Sequence, residues 1–283
     1  MQTIQLNNGI SMPLLGLGIF QITDQHLCEQ SVETALQTGY RLIDTATCYG
    51  NERAVGNAVK NSGIPREELF FCSKVWIQDA RYERTKASFA KTLENLQTDY
   101  LDLYLIHMPY GDYHGSWRAM EELHQTGKIK AIGVCIFLPD RLADLILSHT
   151  VVPAVNQIEL HPFCQQKELR QMMQQYQIQP MAWGPFAEGQ NQIFQNETLV
   201  AIEKKYGKTT AQVILRWLLQ NQIIAIPKSV HAERIRENFL VEDFVLSSDD
   251  MKQIGKLDLH QSLILELQSL EEVHRLHEIR FVQ

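Results

Sequence analysis

The 283-residue chain lacks an apolar stretch long enough to span a bilayer. One of its longest apolar runs, LDLYLIHMP, still carries Asp102 and His107. The opening MQTIQLNNGI has neither the basic nor the apolar region of a secretory signal, so a cytoplasmic protein is expected. There is no C-x-x-C pair, and the five cysteines (28, 48, 72, 135 and 164) are odd in number. They are therefore read as reduced thiols, with neither a disulfide frame nor a zinc site. No metal is expected. An excess of basic charge is missing too. The formal net charge is −7, which leaves no general attraction to nucleic acid or an anionic membrane, and any anion site has to be local. Linkers, low-complexity tracts and sequence repeats are absent, and the expectation is one domain over residues 1–283.

What is present is a rhythm. Eight short β-rich runs recur: LLGLGIF (14–20), YRLIDTA (40–46), LFFCSKVW (69–76), YLDLYLIH (100–107), IKAIGVCIF (129–137), AVNQIEL (154–160), QPMAWGP (179–185) and QIIAIPKS (222–229). Helical patterns separate them at 24–38, 51–62, 81–96, 116–126, 139–148, 165–176 and 196–220, and two more follow at 231–239 and 248–257. Strands alternating with helices predict βαβ units and a parallel sheet. Eight of them in about 250 residues predict a closed (β/α)8 TIM barrel over an open doubly wound sheet. Asn8-Gly9 between apolar residues predicts an N-terminal β-hairpin that could plug the bottom of the barrel. Asn51 is expected to cap the helix at 52–62. Pro65, Pro139 and Pro162 fall at element boundaries, where a missing N–H does least harm.

In such a barrel the working end is the rim formed by the C-terminal ends of the strands. The second run ends at Asp44, with Tyr49 on its loop. The third ends at Lys74 and the fourth at His107. Each polar group closes an otherwise apolar inward row: Leu42 before Asp44, Cys72 before Lys74, Leu103 and Leu105 before His107. Singly, each has an ordinary explanation: a terminal Asp caps a turn, a strand-end Lys snorkels to water, a His is bonded in the core. Together they would require four independent coincidences on one rim. An ammonium beside a phenol favours the phenolate and is expected to lower the Tyr49 pKa. Asp44 can hold Lys74 charged and in place, and His107 can bond a substrate oxygen. The set amounts to a proton donor aimed at a carbonyl oxygen.

The last run adds IPKSVHAERIRENF (226–239). It places Lys228 and Ser229 at a strand end, before a short helix with Arg234, Glu237 and Asn238 at i, i+3 and i+4. Two cations, a hydroxyl and helix N–H groups suit a phosphate monoester, and the loops after strands seven and eight are where this architecture binds phosphate.

These segments in this order resemble the aldo-keto reductase family over roughly residues 3–258. GYRLIDTATCYGNE, the Lys of FFCSKVW, LYLIHMP, VNQIELHP and IPKSVHAERIRENF carry the resemblance. It implies a tetrad of Asp44, Tyr49, Lys74 and His107, with Tyr49 as general acid. It implies NADPH/NADP+ as cofactor, with Lys228, Ser229, Val230 and Arg234 around the adenosine 2′-phosphate and Glu237 and Asn238 at the adenine. Gln157 would bind the nicotinamide carboxamide and Trp183 would stack on its ring. Gly18, Ile19, Gly184, Pro185 and Phe186 would complete the cofactor site. Phe20, Trp76, His107 and Tyr110 would line the pocket for a small carbonyl substrate. A monomer is also implied, and the resemblance is to the bacterial branch of 2,5-diketo-gluconate and methylglyoxal-type reductases.

The chain departs from the family pattern in several places. GVCIF stands where most members have a motif like GVSNF, so Cys135 and Ile136 replace two side chains that bind the carboxamide. A thiol bonds weakly and Ile makes no hydrogen bond. Ile19, Met108 and Gly184 replace a frequent Thr, Trp and Ser. The loop 110–117 is short, which predicts an open pocket. Two other readings share the fold: a cofactor-binding regulator like the potassium-channel β-subunits, or a catalytically weakened member, and a Schiff-base aldolase using Lys74. The role of 259–283 is not readable from its mixed charge.

Overall fold

The computed structural model describes residues 2–281. Met1, Val282 and Gln283, included in the one-domain expectation, lie outside the described residues. Two short strands, β1 (Thr3–Gln5) and β2 (Ser11–Pro13), pair antiparallel around Gly9, whose φ of 85° is the left-handed turn that Asn-Gly favours. Asn7 donates to the Pro153 carbonyl and Asn8 to that of Lys130. Both acceptors precede or begin barrel strands, so the hairpin sits on the bottom of the barrel, as expected.

Eight parallel strands follow: β3 (Gly16–Gly18), β4 (Leu42–Asp44), β5 (Phe70–Val75), β6 (Leu101–Ile106), β7 (Ile129–Cys135), β8 (Val155–Glu159), β9 (Gln179–Trp183) and β10 (Ile224–Ala225). They pair in chain order. Bridges Leu15↔Ala225 and Gly18↔Lys228 bring the last strand back to the first and close the barrel. The closure is tight: a Cβ on Gly18 would stand 2.7 Å from the Ile226 carbonyl oxygen, so only glycine fits at that seam.

The surrounding helices are α1 (Gln25–Thr38), α2 (Glu52–Ser62), α3 (Tyr82–Leu96), α4 (Tyr113–Gln125), α5 (Pro139–Ser148), α6 (Lys167–Gln175), α7 (Glu197–Tyr206), α8 (Thr210–Gln220), α9 (Ala232–Phe239), α10 (Ser248–Gly255) and α11 (Leu270–Glu278). Two expectations change here. The single helix at 196–220 is two. Gly207 ends α7 at φ 62°, and Thr209 with Gln212 forms a reciprocal capping box that restarts the chain as α8. Asn51 precedes α2 but does not cap it with its side chain. That side chain is buried, accepting from the Thr45 hydroxyl at 3.0 Å and donating to the carbonyls of Ile19 and Ile22, so it ties the first rim loop to the second.

Residues after 258 cross the rim. Leu263 N–H and the Ser262 hydroxyl donate to Glu159 at the end of β8. The Tyr110 hydroxyl donates to the Leu267 carbonyl at 2.9 Å. Beyond α11, the Trp76 indole donates to Ile279, and the Gln78 amide exchanges two 3.3 Å bonds with the Phe281 backbone. On α11 Leu276 is buried, and Ile279, just past the helix end, packs against the same core. Among the described residues no helix is long and apolar enough to cross a membrane.

Candidate active site

Register aligns the rim groups. Gly18 pairs with Asp44, Asp44 with Cys72, and Lys74 with Leu105, while His107 continues β6 through a bond from its N–H to the Val75 carbonyl. Asp44 and Lys74 therefore end adjacent strands one step apart on the same face. The Lys74 ammonium donates to Asp44 Oδ2 at 2.6 Å, to the Thr45 carbonyl at 2.8 Å and to the Tyr49 hydroxyl at 3.4 Å. Lys74 is 0% exposed. Tyr49 ends a single 3₁₀ turn, Thr47–Tyr49, that Gly50 closes at φ 66° and that the Thr47 hydroxyl pins to the Lys74 carbonyl. His107 meets Tyr49 and Trp76 edge-on, with centroids 5.6 and 5.0 Å away. The four rim residues thus meet, as their strand positions predict.

The electrostatics correct one expectation. Enclosure pushes the Tyr49 phenol above its usual range, and the opposing pull of Lys74 does not offset it. For Lys74, burial pulls the ammonium down, but Asp44, together with Tyr49, Cys72 and Cys135, outweighs this and leaves it well above its ordinary value. Burial, and then the Lys74 charge, hold His107 well below 6.5. At neutral pH the site therefore holds a protonated phenol, a charged lysine and a neutral imidazole.

A cavity of about 500 Å³ opens at this rim, within the range of small-molecule sites. Asp44, Tyr49, His107, Trp76 and Phe20 line it, as do Gly18, Gln157, Trp183, Gly184, Pro185, Phe186 and Lys228. Cys135 and Ile136 stand in the wall beside Gln157. Tyr110 is not in the lining: its hydroxyl is spent holding the C-terminal segment. Ile19 is fully buried beneath the rim. Ser229, Val230, Arg234, Glu237 and Asn238 lie outside the cavity, on the turn before α9 and on α9 itself. The Ser229 hydroxyl accepts from His231 N–H, Glu237 accepts from the Thr209 hydroxyl at 2.9 Å, and Asn238 is buried. Lys228 and Arg234 are exposed.

The expected open pocket is narrower than the short loop implies, because the C-terminal segment roofs the rim. Ile264, Leu265, Leu276 and Ile279 enter the lining, and a Cβ on Gly184 (φ 58°) would stand 2.9 Å from Ile264. The docking of the segment after α11 against Trp76 was not readable from its mixed charge. Cys48 also enters the lining, its Sγ 3.3 Å from His107 Nδ1, and nothing in the spacing marked it. All five cysteines are free thiols, and among the described residues no cluster of three or more His, Cys, Asp or Glu could hold a metal ion.

Ile136 adopts φ 63°, the left-handed region that a β-branched side chain strongly disfavours. Cys135 reaches Gln157 Oε1 only at 3.9 Å. The Gln157 amide N–H₂ is taken by Asp44 Oδ1 at 2.8 Å and by the Met181 sulfur.

A closed (β/α)8 barrel with a linked acid, lysine, phenol and imidazole on its C-terminal rim defines a class of carbonyl-handling oxidoreductase scaffold. Residues 14–259 match the Aldo/keto reductase family, and the chain belongs to it. It is 49% identical over 257 residues to glyoxal reductase of Bacillus subtilis, covering 90% of this chain and 92% of that one. It is 43% identical over 258 residues to methylglyoxal reductase DkgA of Escherichia coli, covering 90% and 93%. An aldo-keto reductase of Bombyx mori, solved in complex with NADP, superposes with a TM-score of 0.87 at 32% identity, covering 93% of this chain and 94% of that one.

Proposed function

We propose that this chain is an NADPH-dependent reductase of small aldehydes and ketones, dicarbonyls among them, with Tyr49 as the proton donor. The observation that carries the reading is the continuous link Asp44–Lys74–Tyr49 opening onto a cavity beside a neutral His107. The names of the glyoxal and methylglyoxal reductases support the substrate class.

The residues suit the cofactor on three counts. The Trp183 indole N–H is buried without a partner among the described residues. Among the described residues Gln157 Oε1 has only a distant thiol for company, which leaves it free to accept from a carboxamide. Lys228 and Arg234 flank the start of α9, where among the described residues no side chain caps the first turn, and that combination draws a phosphate. When bound, the cofactor supplies hydride to the carbonyl carbon.

Every other step belongs to the chain. The phenol keeps its proton until charge develops on the substrate oxygen, because the dry site holds its pKa up. As the proton leaves, the Lys74 ammonium stabilises the phenolate, and Asp44 keeps Lys74 charged and fixed. His107 is neutral, so it can bond the substrate oxygen without competing as an acid. Tyr49→Phe should lower turnover at least about a hundredfold and leave the affinity for NADPH intact. Equal turnover by that variant would sink the assignment. Titration with NADPH and NADH, read by Trp fluorescence, tests the cofactor: much tighter NADPH binding is expected. Cys135 and Ile136 favour one second reading, a member that binds cofactor but turns over slowly. Binding without turnover on a panel of aldehydes and ketones would select it.

A further inference from the structure

The contact between Cys48 and His107 bears on how the proposed site presents a hydrogen-bond donor. Cys48 is the middle residue of the turn that carries Tyr49, so the backbone bond from Tyr49 N–H to the Ala46 carbonyl fixes both residues at once. Its Sγ lies 3.3 Å from His107 Nδ1, and the ring makes no other side-chain hydrogen bond among the described residues. Trp76 and Tyr49 approach the imidazole edge-on, at interplanar angles of 80° and 76°, and hold its plane.

The proton count is restricted. A neutral imidazole has one N–H and one bare nitrogen. Burial, with Lys74 behind it, keeps His107 neutral. Enclosure pushes the Cys48 thiol up to about 12, with Lys74 opposing, so it keeps its S–H. Two arrangements remain. If Nδ1–H points at sulfur, Nε2 is bare and turns a lone pair toward any carbonyl oxygen in the cavity. If S–H points at Nδ1, Nε2 carries the proton. A bare imidazole nitrogen is a stronger acceptor than a thiol sulfur, which favours the second arrangement.

We propose that Cys48 is a positioning residue: its S–H donates to His107 Nδ1, which fixes the tautomer whose Nε2–H faces the cavity as a donor to the substrate oxygen. This rests on the carbonyl-reductase reading for its consequence in turnover, though not for the tautomer itself.

The experiment is long-range ¹H–¹⁵N correlation on histidine-labelled protein, with His107 assigned by the loss of its signals in His107→Gln. The wild type should show Nε2 protonated and Nδ1 bare. Cys48→Ala should show a mixture of tautomers, and Cys48→Ser, which restores an X–H donor, should return to the wild-type pattern. In kinetics, Cys48→Ala should lower kcat by about two- to tenfold, the worth of one hydrogen bond, with NADPH affinity unchanged and recovery in Cys48→Ser. Nδ1 protonated in the wild type overturns the proposal. So does a Cys48→Ala protein with an unchanged tautomer. If the wild type reduces no carbonyl at all, the functional reading fails, and the spectra still decide the assignment of Cys48.

Discussion

Replacing Asp44 by Asn removes one charge from the Asp44–Lys74 pair and keeps its shape. Lys74 would keep the Thr45 carbonyl at 2.8 Å and lose its anion at 2.6 Å, with its side chain 0% exposed to water. Leaving one member of a buried pair uncompensated costs about 3–5 kcal/mol. That is a large part of a native stability of roughly 5–15 kcal/mol. At about 2–4 °C per kcal/mol for a chain of this order of size, the melting midpoint should fall by roughly 6–20 °C. The double variant Asp44→Asn with Lys74→Met removes both charges and should regain most of the loss. The pH dependence supplies a second check. Without Asp44, the largest influence opposing desolvation of Lys74 is gone, and its folded pKa drops below its unfolded value of about 10.4. The unfolded chain then binds more protons, so the single variant should gain stability as pH rises from 7 toward 10. Urea denaturation of the three proteins across that range is the assay. A single variant within about 1 kcal/mol of wild type, or a double variant no better than the single, would falsify the picture of a pair held by mutual charge.

Other outcomes follow from the same geometry. His107 has a folded pKa far below its unfolded value of about 6.5, so the unfolded state takes up the proton first. Stability should therefore fall with pH below about 6.5, by up to about 1.4 kcal/mol per unit from this group, and His107→Gln should flatten that part of the urea-midpoint profile. Cys135→Ser with Ile136→Asn should tighten NADPH binding by about 1–3 kcal/mol through two new hydrogen bonds, and raise activity. Because Asn tolerates the left-handed φ of 63° better than Ile, part of the local backbone strain should also go, visible in thermal melts; an unchanged dissociation constant and rate would refute this account. Leu276→Glu puts a charge into the apolar roof and should release α11, shifting Trp76 fluorescence toward that of a wetter indole and letting bulkier aldehydes react. Unaltered fluorescence and substrate range would show that the roof does not control access.

Local pattern determined a great deal. The strand–helix rhythm predicted the barrel because each run is short, apolar and bounded by turn residues, and eight such units have few ways to bury both faces. Parallel strands put their C-terminal ends on one rim, so Asp44, Lys74 and His107 could be placed together from their positions in the runs alone. Asn8-Gly9 specified its turn because only residues tolerant of positive φ fit there. Long-range packing decided the rest. Asn51 has the chemistry of a cap, yet its amide serves Ile19 and Ile22, 32 and 29 residues away in sequence. Tyr110 has the character of a pocket wall, but its hydroxyl supports Leu267. The Tyr49 pKa could not be signed from the presence of Lys74, because desolvation depends on everything packed around the phenol. The contact from Cys48 to His107 joins two loops 59 residues apart and rests on a few tenths of an ångström, a scale that sequence spacing does not encode. Residue order therefore fixed which groups reach the rim, while the summed packing of distant segments set their protonation, their partners and how far the rim is closed.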